Sequence, residues 1–265
     1  MKHPLSSEDL QDLKKAREIL ENPGFAIKAA NLIGKPIEFA IDKVDSKTLN
    51  KATSKALHKS LDLAIGSLGE ERGSSSNLKH KLMVAASGAG GGFFGMAALP
   101  LELPVSTTIM LRSIADIARS QGHDLSDMAC RLNCLEVFSL GSTKNREDDA
   151  GESAYFAARG ALAYEMKLAV DSVANMSNRA IQDALAKGNM PLLVKLINTI
   201  ASRFGLVVSE KLVAQAAPLI GAGGGAAINL MFINHFQDMA EGHFIVKRLE
   251  KRYGADEIRK LYESL

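Results

Sequence analysis

Tryptophan is missing from this sequence, and the other aromatic residues make up only 5% of it. No run of useful length alternates apolar and polar residues with the period of two that is typical of a half-buried strand. Alanine, leucine and glycine are abundant, a composition that suits close-packed helices better than a strand-rich sandwich. Apolar residues recur every three to four positions, which predicts an all-α fold built as a multi-helix bundle.

An excess of charge of one sign is also lacking. The chain has 32 basic and 30 acidic residues, and the two signs are interspersed along its length. Proteins that bind nucleic acid normally present a strongly basic surface. The composition therefore argues against a nucleic-acid partner.

A secretory leader and cysteine-based sites are lacking as well. Residues 1–15 contain no apolar leader core, so we expect a cytoplasmic location. The only two cysteines, Cys130 and Cys134, fall on one face of a predicted helix, where a disulfide is geometrically awkward. Because no further ligands follow at the spacing of a zinc site, we predict two buried thiols.

Helical patterns account for most of what is present. The first predicted helix covers residues 8–20 behind Ser6 and Ser7, which can cap it. Further helices are predicted over 25–44, 46–68, 113–120, 127–140, 155–185 and 192–208, with polar loops over 69–77 and 143–152. Residues 1–78 are thus interpreted as amphipathic N-terminal helices and 79–265 as the main helical domain, joined in one continuous globule.

The most unusual stretch of the chain runs from Leu82 to Arg112. It carries no charge between Lys81 and Glu102, and it is rich in glycine over 88–95. A single carboxylate in such apolar surroundings is unfavourable unless a partner or a pKa shift neutralises it. We therefore expect Glu102 either to be paired with another part of the chain or to have a function.

The pentapeptide GAGGG occurs twice, at 88–92 and at 221–225, and the second copy also stands in a run without charges. Glycines at this spacing allow helices to approach closely, so we predict two glycine-rich apolar helical segments packed at the centre of the bundle. Glu102 and His235 follow the two copies at the same interval, so a pseudo-symmetric pair would bring them together. Chance recurrence in helices rich in alanine and glycine is the alternative, favoured because Pro100 and Pro104 interrupt only the first copy.

Both apolar runs reach the length that crosses a bilayer. Glycines, prolines and Glu102 lower the hydropathy of the first run, and Gln215, Asn229 and Asn234 lower that of the second. A hairpin buried in the core is therefore the preferred interpretation. Reversible membrane association and a spanning pair are the alternatives.

Three segments resemble the EcsC family. They are ALPLELPVSTTIMLRSIADIARSQG (98–122), CLEVFSLG (134–141) and GAGGGAAINLMFINHFQDMAEGHFIVKRLEKRYG (221–254). The resemblance spans roughly 79–254, and it implies a bacterial helical protein that is intracellular or peripheral to a membrane. The family has no established activity to transfer to this chain.

The ionisable residues of those segments supply a candidate site. The candidates are Glu102, Arg112, Asp116, His235, Asp238 and His243. Arg112 and Asp116 lie one turn apart and can pair with each other. His235 and Asp238 share a helix face, and together with Glu102 and His243 they could hold a divalent metal ion.

Two functions from different classes follow. The first is a non-enzymatic accessory or regulatory protein, peripheral to or partly inserted in the inner membrane, with a membrane surface or membrane protein as its partner and no cofactor. The alternative is a metal-dependent hydrolase that uses Glu102, His235, Asp238 and His243. Because no HExxH, GxSxG or Cys-His signature is present, the first is preferred.

Overall fold

The computed structural model describes residues 5–22, 24–33, 45–66, 68, 95–141, 153–215 and 222–265, except for the side chains of 95–101 and 222–225. Within these ranges the chain forms ten α-helices and no strand, so the all-α prediction is confirmed. The helices are α1 (Ser7–Leu20), α2 (Phe25–Ile33), α3 (Ser46–Gly66), α4 (Gly95–Ser120), α5 (Met128–Glu136), α6 (Ala154–Val173), α7 (Asn178–Ala186), α8 (Pro191–Gln215), α9 (Ala222–Tyr253) and α10 (Ala255–Ser264).

Two long helices, α8 and α9, organise the bundle. α8 packs against α2, α3, α6 and α9, and α9 packs in addition against α1, α4 and α10. α9 and α1 lie very close together at Gly242. A Cβ added there would lie 2.6 Å from Leu20 Cγ of α1. The N-terminal helices α1 to α3 contribute to the same hydrophobic cluster as the rest of the bundle.

Aromatic rings fill the centre of this cluster. Phe138, Phe204, Phe232 and Phe236 contact one another with ring centroids 5.1 to 6.2 Å apart. Burial of one such side chain stabilises a fold by about 1.5 to 3 kcal/mol, and edge-to-face contacts add to it. These four rings come from α8, α9 and the turn that holds Phe138, so they join three segments of the described structure.

The predicted single helix over 155–185 is wrong, because the structure has two helices there. α6 ends at Val173 and α7 begins at Asn178. The Ser177 hydroxyl accepts a hydrogen bond from the Ala180 N–H at 3.2 Å and caps α7. A serine cap of this kind satisfies a backbone donor that has no partner at a helix start, which favours a new helix over a continuous one.

The helix predicted over 127–140 is shorter than expected. Asp127 caps α5, which ends at Glu136 and continues as a 3₁₀ turn over Val137–Ser139. Gly141 ends the segment, as predicted, with a φ of 78° that favours glycine. An added Cβ at Gly141 would lie 2.4 Å from His235 Cε1, so α9 also requires a glycine here.

The prolines do not interrupt the first apolar segment as the sequence analysis expected. α4 is continuous from Gly95 through Pro100 and Pro104 to Ser120. Thr108 Oγ1 donates to the Pro104 carbonyl oxygen at 2.8 Å. Tertiary packing against α3 and α9 outweighs the backbone hydrogen bond that each proline removes.

α4, which follows the first glycine tract, and α9, which begins within the second, pack against each other. Gln237 Nε2 of α9 donates to Ser113 Oγ of α4 at 2.7 Å. Residues 88–92 and Gly221 lie outside the described residues, so the packing of the tracts and their duplication stay predictions. The extension of α2 over 34–44 and the loops over 69–77 and 143–152 lie outside them too.

The two cysteines are both buried free thiols, as predicted. Cys134 is fully enclosed in the core, where burial raises the pKa of its thiol. These side chains therefore act as small apolar residues of α5.

Candidate functional site

Two regions of the bundle contain unusual buried polar groups. The first is the end where α4 and α9 begin and α8 finishes, which we call the apolar end (residues 102–107, 208–215 and 226–232). Its ionisable residues are Glu102, Glu210 and Lys211. Two of its apolar side chains are exposed, Val105 by 45% and Leu230 by 41%.

Glu102 is paired with Lys211 of α8, which confirms that another part of the chain neutralises it. Lys211 Nζ lies 3.2 Å from Glu102 Oε1 and 4.9 Å from the centroid of the Phe232 ring. Burial lowers the pKa of Lys211, and the Glu102 carboxylate opposes that shift. The pair therefore carries no net charge into the apolar surroundings.

The second region surrounds His243 in the middle of α9, and we call Glu136, Tyr155, Arg159, His243 and Glu250 the histidine cluster. His243 is fully buried, and its Nδ1 lies 3.0 Å from the Tyr155 hydroxyl. Arg159 donates to the Tyr155 oxygen at 3.2 Å and binds both carboxylate oxygens of Glu250, at 2.7 and 3.0 Å. Hydrogen bonds thus link four side chains from α6 and α9, and Glu136 of α5 lies next to them.

The protonation of the histidine cluster follows from its donors. Burial, together with the positive charges of Lys247 and Arg159, holds the pKa of His243 well below its usual value, so the ring is neutral. Since the Tyr155 oxygen already accepts from Arg159, we assign its own hydrogen to Nδ1 of His243. Nε2 then carries the ring hydrogen and faces Glu136 Oε2 at 3.6 Å.

That separation exceeds a hydrogen bond and leaves two polar atoms unsatisfied. In the described part of the chain, neither Glu136 Oε2 nor His243 Nε2 has a hydrogen-bond partner. Glu136 is only 3% exposed, so most of its surface is removed from solvent. A buried polar group in this condition is costly and suggests a missing partner.

A pocket of about 380 Å³ opens beside Glu136, between α6, α9 and the start of α10. Arg159 and Glu250 line it from the histidine cluster. Lys167 and Lys247 add positive charge, and Phe156 adds an apolar wall. Its volume lies in the range of small-molecule sites.

The profile of the EcsC protein family matches residues 11–249. The chain belongs to the EcsC family. The match begins within α1 and so includes the N-terminal helices, which the resemblance over 79–254 had left out. Searches of curated proteins and of solved structures find no significant match.

Four predicted metal ligands of this EcsC protein have other surroundings. Glu102 is paired with Lys211, and Asp238 is 47% exposed on its side chain and lies 3.8 Å from Lys28 Nζ. His235 lies between the rings of Phe25 and Phe236, and His243 belongs to the histidine cluster.

No three His, Cys, Asp or Glu side chains among the described residues converge to hold a metal ion. The geometry that the metal-hydrolase alternative requires is therefore not formed by Glu102, His235, Asp238 and His243. Each of these groups is held by its own neighbours instead of converging on a common centre.

The remaining predicted pair lies on α4. Asp116 accepts a hydrogen bond from Arg119 at 2.8 Å, and Arg119 also donates to the Leu68 carbonyl oxygen. The sequence analysis had considered Arg112 as the partner of Asp116. The pairing of Arg112 with Asp116 stays a prediction, because both arginines lie within one turn of the acid.

The sequence analysis identified only His243 of the histidine cluster. Glu136 and Glu250 lie inside segments that carry the EcsC resemblance, so that signal could have singled them out. Tyr155 and Arg159 lie in α6, outside those segments, and no motif marks them. Their role is visible only from their contacts with α9.

Of the helices that the structure describes, only α8 of this EcsC protein is long and apolar enough to cross a membrane. However, 56% of its apolar window is buried inside the bundle. The core helix of a soluble protein meets the same criterion, so this observation is weak support for a spanning segment.

Proposed function

We propose that this EcsC protein is a non-enzymatic accessory or regulatory protein that binds reversibly to a membrane surface through its apolar end. One observation carries the proposal: the apolar end exposes apolar side chains, while its Glu102 and Lys211 are paired within the fold. The proposed location is the cytoplasmic side of the inner membrane.

The exposed side chains favour lipid contact at this end. Val105 and Leu230 lie on α4 and α9. Full burial of such a side chain contributes about 1.5 to 3 kcal/mol, and because each of the two is less than half exposed, lipid contact adds only part of that amount. Contributions of this size support reversible binding and fall short of stable anchoring.

The paired charges favour the same interpretation. An ionised group that enters a membrane without a partner is strongly unfavourable. Lys211 already neutralises Glu102, and both side chains are largely buried. Contact with lipid therefore does not require either group to lose its hydration shell. The buried lysine is therefore compatible with an apolar environment on the outside of this end.

Peripheral binding is preferred to a spanning arrangement because of the packing of α8. A bilayer-spanning α8 would have to leave α2, α3 and α6, which it packs against in the core. That rearrangement would expose Phe204 and the aromatic centre of the bundle.

The proposal is tested by flotation of the purified full chain with vesicles of phosphatidylethanolamine and phosphatidylglycerol. We expect the wild type to float with the vesicles and a Val105→Asp, Leu230→Asp variant to lose binding at least tenfold. Tyr164→Asp is the matched control, because Tyr164 is 71% exposed on α6 outside the apolar end. Wild-type protein that stays in the aqueous fraction, or a double variant that floats equally well while folded, would overturn the proposal.

A further inference from the structure

We propose that the pocket beside the histidine cluster binds a small zwitterion of the α-amino acid class, with its ammonium group on Glu136 and its carboxylate on Lys247. This inference is independent of membrane binding, because the pocket is formed by α5, α6, α9 and α10 and not by the apolar end. Three features of the pocket lead to it.

The first feature is the unsatisfied carboxylate. Glu136 is more than nine-tenths buried and lines the pocket, and its carboxylate has no hydrogen-bond partner in the described structure, with Oε2 facing His243 Nε2 at 3.6 Å. A buried carboxylate is best satisfied by a donor that also carries positive charge. An ammonium group supplies both the N–H donors and that charge.

The second feature is a pair of lysine side chains that form no ion pair with the described residues. Lys167 and Lys247 line the same pocket, and neither forms an ion pair with any described residue. Arg159, in contrast, is bound to Glu250 and is not available to a ligand. The carboxylate of an amino acid matches the free lysines.

The spacing fits one small molecule. Lys247 follows His243 by one turn of α9, a rise of about 6 Å, and His243 Nε2 lies 3.6 Å from Glu136. A flexible lysine side chain can bridge the rest of the distance to a ligand that sits on Glu136. The ammonium and carboxylate groups of an α-amino acid are attached to one α-carbon, so a single small molecule can contact both residues.

The third feature selects the side chain of the ligand. Phe156, Ala163 and Met166 contribute apolar surface to the pocket. Thioether and branched aliphatic side chains pack well against aromatic and methionine surfaces. We therefore expect methionine and leucine to bind better than aspartate or lysine.

The histidine cluster holds Glu136 in position for this ligand. The chain of hydrogen bonds from Arg159 through Tyr155 points the Nε2–H of His243 toward Glu136. His243 is thus a positioning residue, and the ligand contacts Glu136.

The test is calorimetric titration of the full chain with L-methionine, L-methioninamide and N-acetyl-L-methionine. We expect saturable 1:1 binding of L-methionine, and at least tenfold weaker binding of the two analogues, each of which lacks one charge. Glu136→Gln should weaken L-methionine binding by a similar factor. Lys247→Met should weaken it too and remove the preference over L-methioninamide.

A matched control variant and a second variant of the pocket complete the test. Lys251→Met is the matched control, because Lys251 is an exposed lysine one turn further along α9 that does not line the pocket. If Glu136→Gln does not fold, Lys247→Met at the pocket wall decides the question. Absence of binding by L-methionine and L-leucine at millimolar concentration, equal binding of L-methioninamide, or unchanged affinity of a folded Lys247→Met variant would overturn the proposal.

Discussion

The apolar end and the histidine cluster both bury ionisable groups, but they satisfy them in opposite ways. At the apolar end, Glu102 meets a full positive charge on Lys211. In the histidine cluster, His243 is neutral, and Glu136 faces it at a distance too long for a hydrogen bond. An ion pair that is neutralised within the fold is compatible with contact between the apolar end and an apolar phase. A buried carboxylate without a hydrogen-bond partner beside a pocket is compatible with ligand binding.

The largest effect on the free energy of unfolding is expected when the ion pair between Glu102 and Lys211 is broken. Lys211→Met leaves the Glu102 carboxylate in apolar surroundings without its cation, which should lower the free energy of unfolding by about 3 kcal/mol. Chemical denaturation followed by circular dichroism measures this loss. The double variant Glu102→Leu, Lys211→Met removes both charges and should recover stability to within about 1 kcal/mol of the wild type.

An exposed ion pair serves as the control for this prediction. Lys15 pairs with Glu241 at 2.6 Å, but both side chains are largely in solvent. Lys15→Met should therefore cost less than about 1 kcal/mol. A loss from Lys211→Met no larger than that from Lys15→Met would show that the apolar end does not depend on its buried pair.

A smaller effect is expected at Gly141, which supports α9 between the two regions. Gly141→Ala places a Cβ 2.4 Å from His235 Cε1 at a positive φ, and we expect a loss of about 2 to 3 kcal/mol in thermal or chemical unfolding. Gly188→Ala provides the comparison, since Gly188 also has a positive φ but has open space around it. Its cost should be only about 1 kcal/mol, and equal losses at both sites would contradict the close packing of His235 on Gly141.

The smallest effect concerns pH and distinguishes the neutral histidine from the charged pair. The pKa of His243 is below its usual value of 6.5 in the fold, so near pH 6 the unfolded chain takes up a proton that the folded chain does not. The stability linked to this group is therefore complete above pH 6.5 and is lost as the pH falls. The loss is at most about 1.4 kcal/mol for each pH unit.

Unfolding midpoints between pH 5 and 7.5 measure this slope. His243→Gln should flatten it, although the variant starts from a lower stability because the Tyr155 hydroxyl loses its acceptor. His123, whose pKa is also lowered by burial, contributes separately, so His123→Gln is the comparison variant. An unchanged slope in His243→Gln would show that His243 is not a neutral buried group.

Whether a feature could be predicted from the sequence depends on how far apart in the chain its interacting residues lie. Features set within a few residues, such as the Ser6 cap of α1 and the glycine stop at Gly141, were predicted. The Ser177 cap was local as well, but the apolar periodicity on either side of it concealed the break between α6 and α7. The continuity of α4 through its prolines depends on packing that no local pattern contains.

The difference between local and long-range interactions is clearer in the candidate site. The position of Glu102 in an apolar run indicated that it is either paired or functional, since a lone buried acid is unfavourable. Its partner is 109 positions away on α8, and Tyr155 reaches His243 across 88 positions. No spacing rule connects residues at such separations.

By itself, the sequence determined the helical class, most helix positions, the family and the need to neutralise one acid, because periodicity, caps and charge are properties of neighbouring residues. Only the tertiary structure decided that Lys211 meets this need, that the proposed metal ligands do not converge, and that Glu136 remains unsatisfied beside a pocket. These outcomes depend on how α4, α5, α6, α8 and α9 are placed around one another, and packing between distant segments fixes that placement.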